Sequence, residues 1–503
     1  MIMNIFLWTQ ILCLITTVGA TVYIYIKRKK LGFWIVCISY LLILLGTIYI
    51  AVRNYPIYWV GYHLTMKAEK QFVLEQDIEP DEYMDDFKEI CDIVEKHYSL
   101  ADYKGISLKS LRDKYSVKVM NAKNNREYFL AIQQYFSELR NSHTCLRYSK
   151  YTTMADAEWR SDSLYVSANL TEYPLKKGDR ILSVDGIDVV SWRDSMKNYV
   201  PGSTEKGRYV HTEDYVFSSY IDTVRNLCLC RDDSVFNVTV ELSRDGMQRI
   251  SEHNKEIRSA ETKSIMNSPK DKKEYLTLLS LSGFTDEETE EFILKYNKVK
   301  NYQCIILNLL NNHGGLVRNM EKIATLLLKH PYQAETLITP SEDSFKGKLY
   351  VMIGQNTFSA AEYLASILKE SGSAVLVGEE TTGDFGVRPL TFCTSHDTYF
   401  SLGYGKPKTT FKGNPREGKA VEPHYRIKEN AALSNNFNIV RTAFYLAMNE
   451  ILEAKMDSLK SSRRKTKQFS SYFRFPTSHT TVRAVPHTAV PILDTIRDTP
   501  PLK

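Results

Sequence analysis

Residues 348–362, Lys348-Leu-Tyr-Val-Met-Ile-Gly-Gln-Asn-Thr-Phe-Ser-Ala-Ala-Glu362, pass from one kind of local structure to another within a short span. Leu349–Ile353 is a continuous apolar run of strand length, the pattern of a strand buried on both faces. Gly354–Thr357 is a polar turn, and the chain from Phe358 to about Glu370 has helical composition and spacing. Ala374–Val377 is the next apolar run. Ser359 therefore falls where a strand hands over to a helix N-terminus. There the backbone N–H groups lack partners within the helix and the helix dipole favours negative charge. A serine so placed can attack a carbonyl whose oxygen becomes an anion. The same residues, Ser359-Ala-Ala-Glu362, also spell Ser-x-x-Glu, the pattern of an ordinary capping box. The stretch by itself leaves both readings open.

Working outward, the neighbouring segments repeat the strand-then-helix pattern. Tyr275–Leu281 reads as a strand, Glu287–Asn297 as a helix, Cys304–Leu310 as a strand and Val317–Lys329 as a helix. This alternation predicts an α/β layer with a mainly parallel sheet, over a core domain of residues 270–455. The turns Asn311–Gly315 and Gly354–Thr357 then belong at one edge of that sheet, beyond the carboxyl ends of its strands, where sites form. Thr398–Tyr404 reads as a further strand and Asn436–Lys455 as a closing helix. Residues 456–503, rich in Ser, Thr, Pro, Arg and Lys without periodicity, read as a disordered basic tail.

Upstream, the chain changes character twice. Residues 78–150 carry helical periodicity at Asp81–His97, Leu108–Met120 and Asn125–Leu139, a helical bundle that delivers His143 just before a strand-like Thr144–Tyr148. Residues 156–256 are β-rich, with a strand at Ser163–Ala168, a turn, strand, Asp-Gly turn and strand over Lys177–Val189, and a hairpin at Val235–Ile250 around Asp245-Gly246. Lys255–Lys273 is charged and reads as a linker or exposed loop. At the N-terminus, Ile5–Ile26 and Leu31–Val52 are two apolar runs of bilayer-spanning length separated by Lys27-Arg-Lys-Lys30. They predict a transmembrane hairpin within residues 1–55. The basic turn belongs in the cytoplasm, which places everything after Tyr55 outside it, in the periplasm if the cell is Gram-negative.

The net charge of +6 is concentrated in that basic turn and in the last fifty residues. No basic, aromatic-interleaved surface lies between them, which argues against a nucleic-acid partner. Cys13 and Cys37 sit in the apolar runs, and the other six cysteines lack the spacing of a metal site. Cys228-Leu-Cys230 is too close for an unstrained local disulfide. Nothing in the sequence calls for a metal or an organic cofactor.

Six elements in order carry a resemblance. They are Leu139-Arg-Asn-Ser-His-Thr144, Lys176–Gly186 with its Gly-Asp-Arg-Ile-Leu-Ser-Val-Asp-Gly, Asn308-Leu-Leu-Asn-Asn-His-Gly-Gly315, Thr357-Phe-Ser-Ala-Ala-Glu362, Val377–Gly383 and Glu417–Pro423. From about Asp81 to His424 the chain resembles the tail-specific, or C-terminal-processing, serine peptidases. The resemblance implies a ClpP/crotonase-like βα core, an N-terminal helical bundle and an inserted PDZ-like domain. One feature departs from the pattern: many relatives place a lysine base shortly after the Val-Gly-Glu-x-Thr element, and here Gly383-Asp-Phe-Gly386 has none. Ser142-His143 instead resembles the tricorn-core-like branch, in which histidine is the base.

Chemistry independent of the name supports the same assignment. A serine hydroxyl needs a base to become a nucleophile, and a near-neutral imidazole suits that task. A carboxylate can orient the imidazole and stabilise its charged form. The expected set is Ser359 as nucleophile, His143 as base, Glu417 as orienter, and Ser142 as a second orienter or water-holding group. The backbone N–H of Ala360 and of Gly314 or Gly315 would hold the oxyanion. Glu422 is the neighbour most easily confused with Glu417. His313 either lines the site or fills a loop, and Cys145 and Cys304 read as packing residues. The expected partner is a protein or peptide substrate, cleaved by a membrane-anchored endopeptidase outside the cytoplasm. The rival reading is a catalytically inactive peptide- or ligand-binding module on the same fold.

Overall fold

The computed structural model describes residues 78–246, 248–250, 252–253, 256, 275–385, 387–407, 415–427 and 435–472, with Leu41 as an isolated position. The two apolar runs expected to span a membrane lie outside these residues, Leu41 apart. So does the charged Lys255–Lys273 stretch, apart from Glu256. Among the described residues no helix is long and apolar enough to cross a bilayer.

Five strands form one parallel sheet in the order Leu276–Ser280, Cys304–Asn308, Lys348–Ile353, Val375–Gly378 and Tyr425–Arg426. The continuous apolar runs make sense in this setting, because both faces of a parallel sheet are covered. Ile305, Leu307, Val351, Ile353 and Leu376 are buried against the helices Asp286–Val299, Val317–Leu327 and Ala360–Glu370. The first of these helices has a full capping box, Thr285 with Glu288. Because the strands run the same way in register, the turn after Asn308 and the turn after Ile353 emerge side by side. They are tied there: Leu309 N–H donates to Met352 O, Thr357 Oγ1 to Leu309 O, and Phe358 N–H to Asn312 O.

The helical bundle comprises Tyr83–His97, Ala101–Lys104, Leu108–Met120 and Asn125–Glu138. Its apolar interior is continuous with an antiparallel hairpin from the other end of the chain, Arg388–Cys393 paired with Tyr399–Tyr404. Phe136 packs on Phe400, with ring centroids 5.0 Å apart. The buried Asp86 accepts hydrogen bonds from Tyr128, Thr394 and Thr398, so bundle and hairpin share a polar clasp as well as a core. The strand expected at Thr144–Tyr148 is only Cys145–Leu146, and it joins this hairpin through Cys145↔Ser401.

Residues 155–241 build a separate six-stranded antiparallel sheet with its own apolar cluster, in keeping with the β-rich insert expected. The expected turn at Asp185-Gly186 is there, joining Arg180–Val184 to Ile187–Asp188, but the last hairpin is not the one expected. Strands Val224–Arg231 and Ser234–Glu241 meet through Asp232-Asp233, both at positive φ (47° and 64°). Two successive left-handed residues are what a tight type I′ turn requires, and aspartate tolerates them. Asp245-Gly246 instead makes a turn after the last strand. The closing helix also differs: it runs from Asn435 to Tyr472, well into the segment expected to be disordered. Its residues up to Met448 belong to the main unit, and a second unit begins at Asn449.

Candidate active site

Ser359 lies at the N-terminus of the Ala360–Glu370 helix, yet its side chain makes no cap bond. Its backbone has φ 54° and ψ −120°, a conformation a non-glycine residue rarely adopts and which costs about 1–3 kcal/mol. The capping-box expectation is therefore overturned. Glu362 turns away, accepts the Gly383 N–H at 2.9 Å, and is completely buried, so burial and then the neighbouring Asp384 push its carboxyl upward. The strained elbow leaves the Ser359 hydroxyl free for another partner. Gly314 makes room for it: a Cβ at Gly314 would lie 2.7 Å from Ser359 Cβ and 2.9 Å from Ala360 N, and its φ of 85° already favours glycine.

That partner is His143. Its Nε2 lies 2.9 Å from Ser359 Oγ, across 216 residues of sequence. The Asn125–Glu138 helix ends at Leu139, Arg140 turns the chain at φ 52°, and Thr144 N–H closes back on Asn141 O. Ser401 Oγ donates to His143 O at 2.7 Å, which fixes this turn to the hairpin. One hydrogen-bond direction satisfies the whole row. Ser359 Oγ–H donates to Nε2, Nδ1–H donates to Ser142 Oγ at 3.4 Å, and Ser142 Oγ–H donates to Asp384 O at 3.3 Å. Burial lowers the His143 pKa, against the opposing pull of Glu417 and Asp384. The imidazole is thereby kept neutral and able to accept a proton.

Glu417 is placed differently from the expectation. It does not hydrogen-bond the imidazole. Its Oε1 accepts from Asn141 Nδ2 at 3.0 Å and from Lys104 Nζ at 2.6 Å. Asn141 Oδ1 in turn accepts the His143 N–H at 3.2 Å and the Thr144 hydroxyl at 3.0 Å. The carboxylate thus acts on His143 through the turn that carries it and through space, while Ser142 holds the Nδ1 position. Glu422 is exposed.

Of the two glycines, Gly314 is already committed: its N–H donates to Asn312 Oδ1 at 2.9 Å, and its carbonyl accepts from Phe284. The N–H groups of Ala360 and Gly315 donate to no described residue, which leaves these two for an oxyanion. Asn312 is completely buried and also holds Leu281 O, so it sets the shape of the turn. His313 is exposed and faces Asp156 of the insert electrostatically. Cys304 is buried, and Cys145 sits 3.5 Å from the Ser401 hydroxyl.

Three residues escaped the sequence reading. Lys104 and Asn141 organise Glu417. His211, from the insert, donates from Nε2 to Asp384 Oδ2 at 2.9 Å. Asp384 lies in the Gly383–Gly386 stretch, where the resemblance implied a lysine and the sequence has none. It is fully buried, and it also accepts the Ser203 N–H at 2.7 Å. Burial alone would raise Asp384, but the bond and charge of His211 outweigh it and hold the carboxyl below its usual value. His211, which burial would lower, is pushed up to about 9 by Asp384. Phe358 lies between the two histidines, 5.4 Å from His143 and 5.7 Å from His211. Glu213 adds a second tie from insert to elbow by accepting from Asn356 at 3.0 Å. Among the described residues no group of three or more His, Cys, Asp or Glu side chains is arranged to hold a metal.

A parallel βα core whose sheet edge presents an elbow serine, a histidine and free backbone N–H groups is the framework of a serine hydrolase. Residues 275–427 match the model for peptidase family S41, residues 156–242 the S41 N-terminal domain described from Bacteroidetes, and residues 79–137 the tricorn protease C1 domain. The chain belongs to peptidase family S41, a family of serine peptidases. It is 32% identical over 130 residues to carboxyl-terminal-processing peptidase 3 of Arabidopsis thaliana chloroplasts, covering 23% of this chain and 24% of that one. It is 28% identical over 218 residues to a carboxyl-terminal-processing protease of Picosynechococcus sp., covering 41% and 45%. The match thus spans less than half the length of either curated relative. The crystal structure of mature CPAF shares the fold, with a TM-score of 0.58 at 13% identity over 73% of this chain and 96% of that one.

The His211–Asp384 pair makes stability depend on pH in a defined direction. His211 titrates higher in the folded protein than in the unfolded chain. Its contribution is therefore whole below about pH 6.5 and is lost as pH rises through about 9. The urea midpoint of the wild type is expected to fall between pH 6.5 and pH 10, and His211→Gln to flatten that fall. Chemical denaturation at the two pH values measures both.

Proposed function

We propose that this chain is a serine endopeptidase in which Ser359 is the nucleophile and His143 the base. The observation that carries it is the 2.9 Å contact between Ser359 Oγ and His143 Nε2, beside the unpartnered N–H groups of Ala360 and Gly315. Ser359 Oγ attacks the scissile carbonyl carbon as its proton passes to Nε2. The carbonyl oxygen becomes an anion held by the two N–H groups. As the intermediate collapses, the C–N bond breaks and the Nε2 proton goes to the leaving amine. Water, deprotonated by the same nitrogen, then adds to the acyl carbon, the bond to Ser359 Oγ breaks, and Nε2 returns the proton to that oxygen. The charged imidazole formed in each step is stabilised by Glu417 acting through the Asn141 turn. No lysine enters this scheme, since the Gly383–Gly386 stretch has none.

The substrate is a protein or peptide, and the insert is a PDZ-like capture module that pairs an extended C-terminus with a strand edge. Its six-stranded antiparallel sheet supports this reading. The two apolar runs within residues 5–52 anchor the enzyme and place the peptidase domain on the extracytoplasmic side. The basic turn Lys27–Lys30 between them supports that orientation.

A fluorophosphonate probe should label the wild type at Ser359, and Ser359→Ala should abolish labelling. His143→Ala should slow it by about 10²–10⁴-fold, the usual contribution of a general base. Labelling that survives Ser359→Ala means that another residue is the nucleophile, and a wild type inert to the probe favours the binding-module reading. Amidating the C-terminus of a cleaved peptide should lower kcat/KM by about tenfold or more, the loss of one charge-assisted hydrogen bond. Equal rates for acid and amide would remove the capture role. A reporter enzyme that works only outside the cytoplasm, fused after Lys67, should be active; an inactive, stably expressed fusion reverses the topology.

A further inference from the structure

Charge around His143 is balanced by residues that lie outside both the turn carrying His143 and the elbow carrying Ser359. The charged groups acting on the imidazole are the carboxylates of Glu417 and Asp384 and the exposed guanidinium of Arg147. The polar groups touching it are Ser359 and Ser142. Left uncompensated in a buried site, two carboxylates would favour imidazolium, which cannot take a proton from serine.

Each carboxylate has its own cation. Lys104 Nζ, on the short Ala101–Lys104 helix of the bundle, lies 2.6 Å from Glu417 Oε1, with side-chain exposures of 8% and 0%. Tyr98 and Tyr103 also feel Glu417, and the Tyr103 hydroxyl donates to its backbone carbonyl. His211, at the end of the insert's Glu205–Val210 helix, pairs with Asp384 at 2.9 Å, with exposures of 14% and 0%. Asp384 is further faced by Glu362, and His211 by Asp214 and Glu213. Lys104 does a second thing. It donates to Arg140 O and, at 3.4 Å, to Ser203 O. Arg140 is the residue whose left-handed backbone swings the chain into Asn141-Ser142-His143, and Ser203 N–H is a donor to Asp384. The two ion pairs therefore meet at Ser203.

We propose that Lys104 and His211 are positioning residues: each cancels the charge of one carboxylate beside His143, so that the imidazole stays neutral and free to take the proton of Ser359. This rests on the assignment of Ser359 and His143 as nucleophile and base. The readiness of the base is then set jointly by the helical bundle, which supplies Lys104, and by the insert, which supplies His211. Lys104 Nζ and Asn141 Nδ2 meet on the same oxygen, Glu417 Oε1, so the cation and the turn that carries His143 share one carboxylate.

The test follows the protonation of His143 itself. In the full-length protein, the rate at which diethyl pyrocarbonate modifies the His143-containing peptide is measured by mass spectrometry across pH 5–9. The reagent reacts only with neutral imidazole. Fluorophosphonate labelling of Ser359 is measured over the same range. Lys104→Met and His211→Gln should each raise the His143 midpoint by about 1 pH unit, the effect of one exposed opposite charge. Serine labelling below the midpoint should fall about tenfold in step. Lys104→Arg should keep the wild-type midpoint. Variants that label slowly with midpoints within about 0.3 unit of wild type would make both residues structural supports only, and overturn the proposal. If Lys104→Met does not fold, His211→Gln carries the test, since its amide retains an N–H for Asp384 while removing the charge. A wild type inert to the fluorophosphonate would defeat the peptidase assignment, and the imidazole midpoints would still report on the charges.

Discussion

A parallel sheet sends all its strand ends to one edge, and the chemistry of this molecule hangs from that constraint. Cys304–Asn308 and Lys348–Ile353 pair residue for residue, from Cys304↔Lys348 to Asn308↔Met352. Their turns have no choice but to lie together. The backbone bonds between Leu309 and Met352 and between Asn312 and Phe358 then make the two turns one object. Slipping the register by a single residue would separate Gly315 from Ala360 and reverse which side chains face the helices. The strain at Ser359 is tolerable because the buried strand before it and the helix behind it, with Ala361, Leu364, Ala365 and Leu368 at 0% exposure, over-determine the elbow.

The sheet supplies only half of the site. His143 comes from a turn fixed by the helical bundle and the Arg388–Tyr404 hairpin, and Asp384 is held by the insert. Each of these bodies has its own apolar cluster. They are joined to the sheet edge by buried polar contacts: Lys104 to Glu417, His211 to Asp384, Glu213 to Asn356. Such contacts are costly to break singly, because the remaining group is left buried without its partner. They specify one relative placement of the three bodies, whereas apolar packing alone tolerates adjustment.

What the sequence made legible follows from this division. The sheet was plain because strands buried on both faces show as unbroken apolar runs. The bundle showed in its helical spacing. Ser359 and His143 were singled out through ordered short motifs, not through periodicity, since a contact across 216 residues leaves no local trace. Lys104 lies in a short stretch between two segments of helical spacing, where nothing local singles it out, and only the fold buries its side chain. Asp384 was noticed as a missing lysine, but nothing local connected it with His211. Local patterns also misled where tertiary contacts overrode them. Ser-x-x-Glu did not cap its helix because Glu362 had a buried task at Gly383. Asp245-Gly246 carried the stronger hairpin signal, while the hairpin itself turned at Asp232-Asp233, where two left-handed aspartates were required.

The distances along the chain have a consequence for when the site can exist. Ser359 and His143 are 216 residues apart, and Asn141 and Glu417 are 276 apart. Closing such long loops comes late, after the local helices and hairpins have formed. During synthesis the histidine turn is made long before its serine, and Glu417 follows later still. A chain unfinished before Ser359 lacks a reacting group, and one whose insert has not seated on the core lacks the His211–Asp384 pair. Dispersal of the site along the sequence thus delays its assembly until the chain as far as Glu417 has been made, so that chain order sets when the site forms.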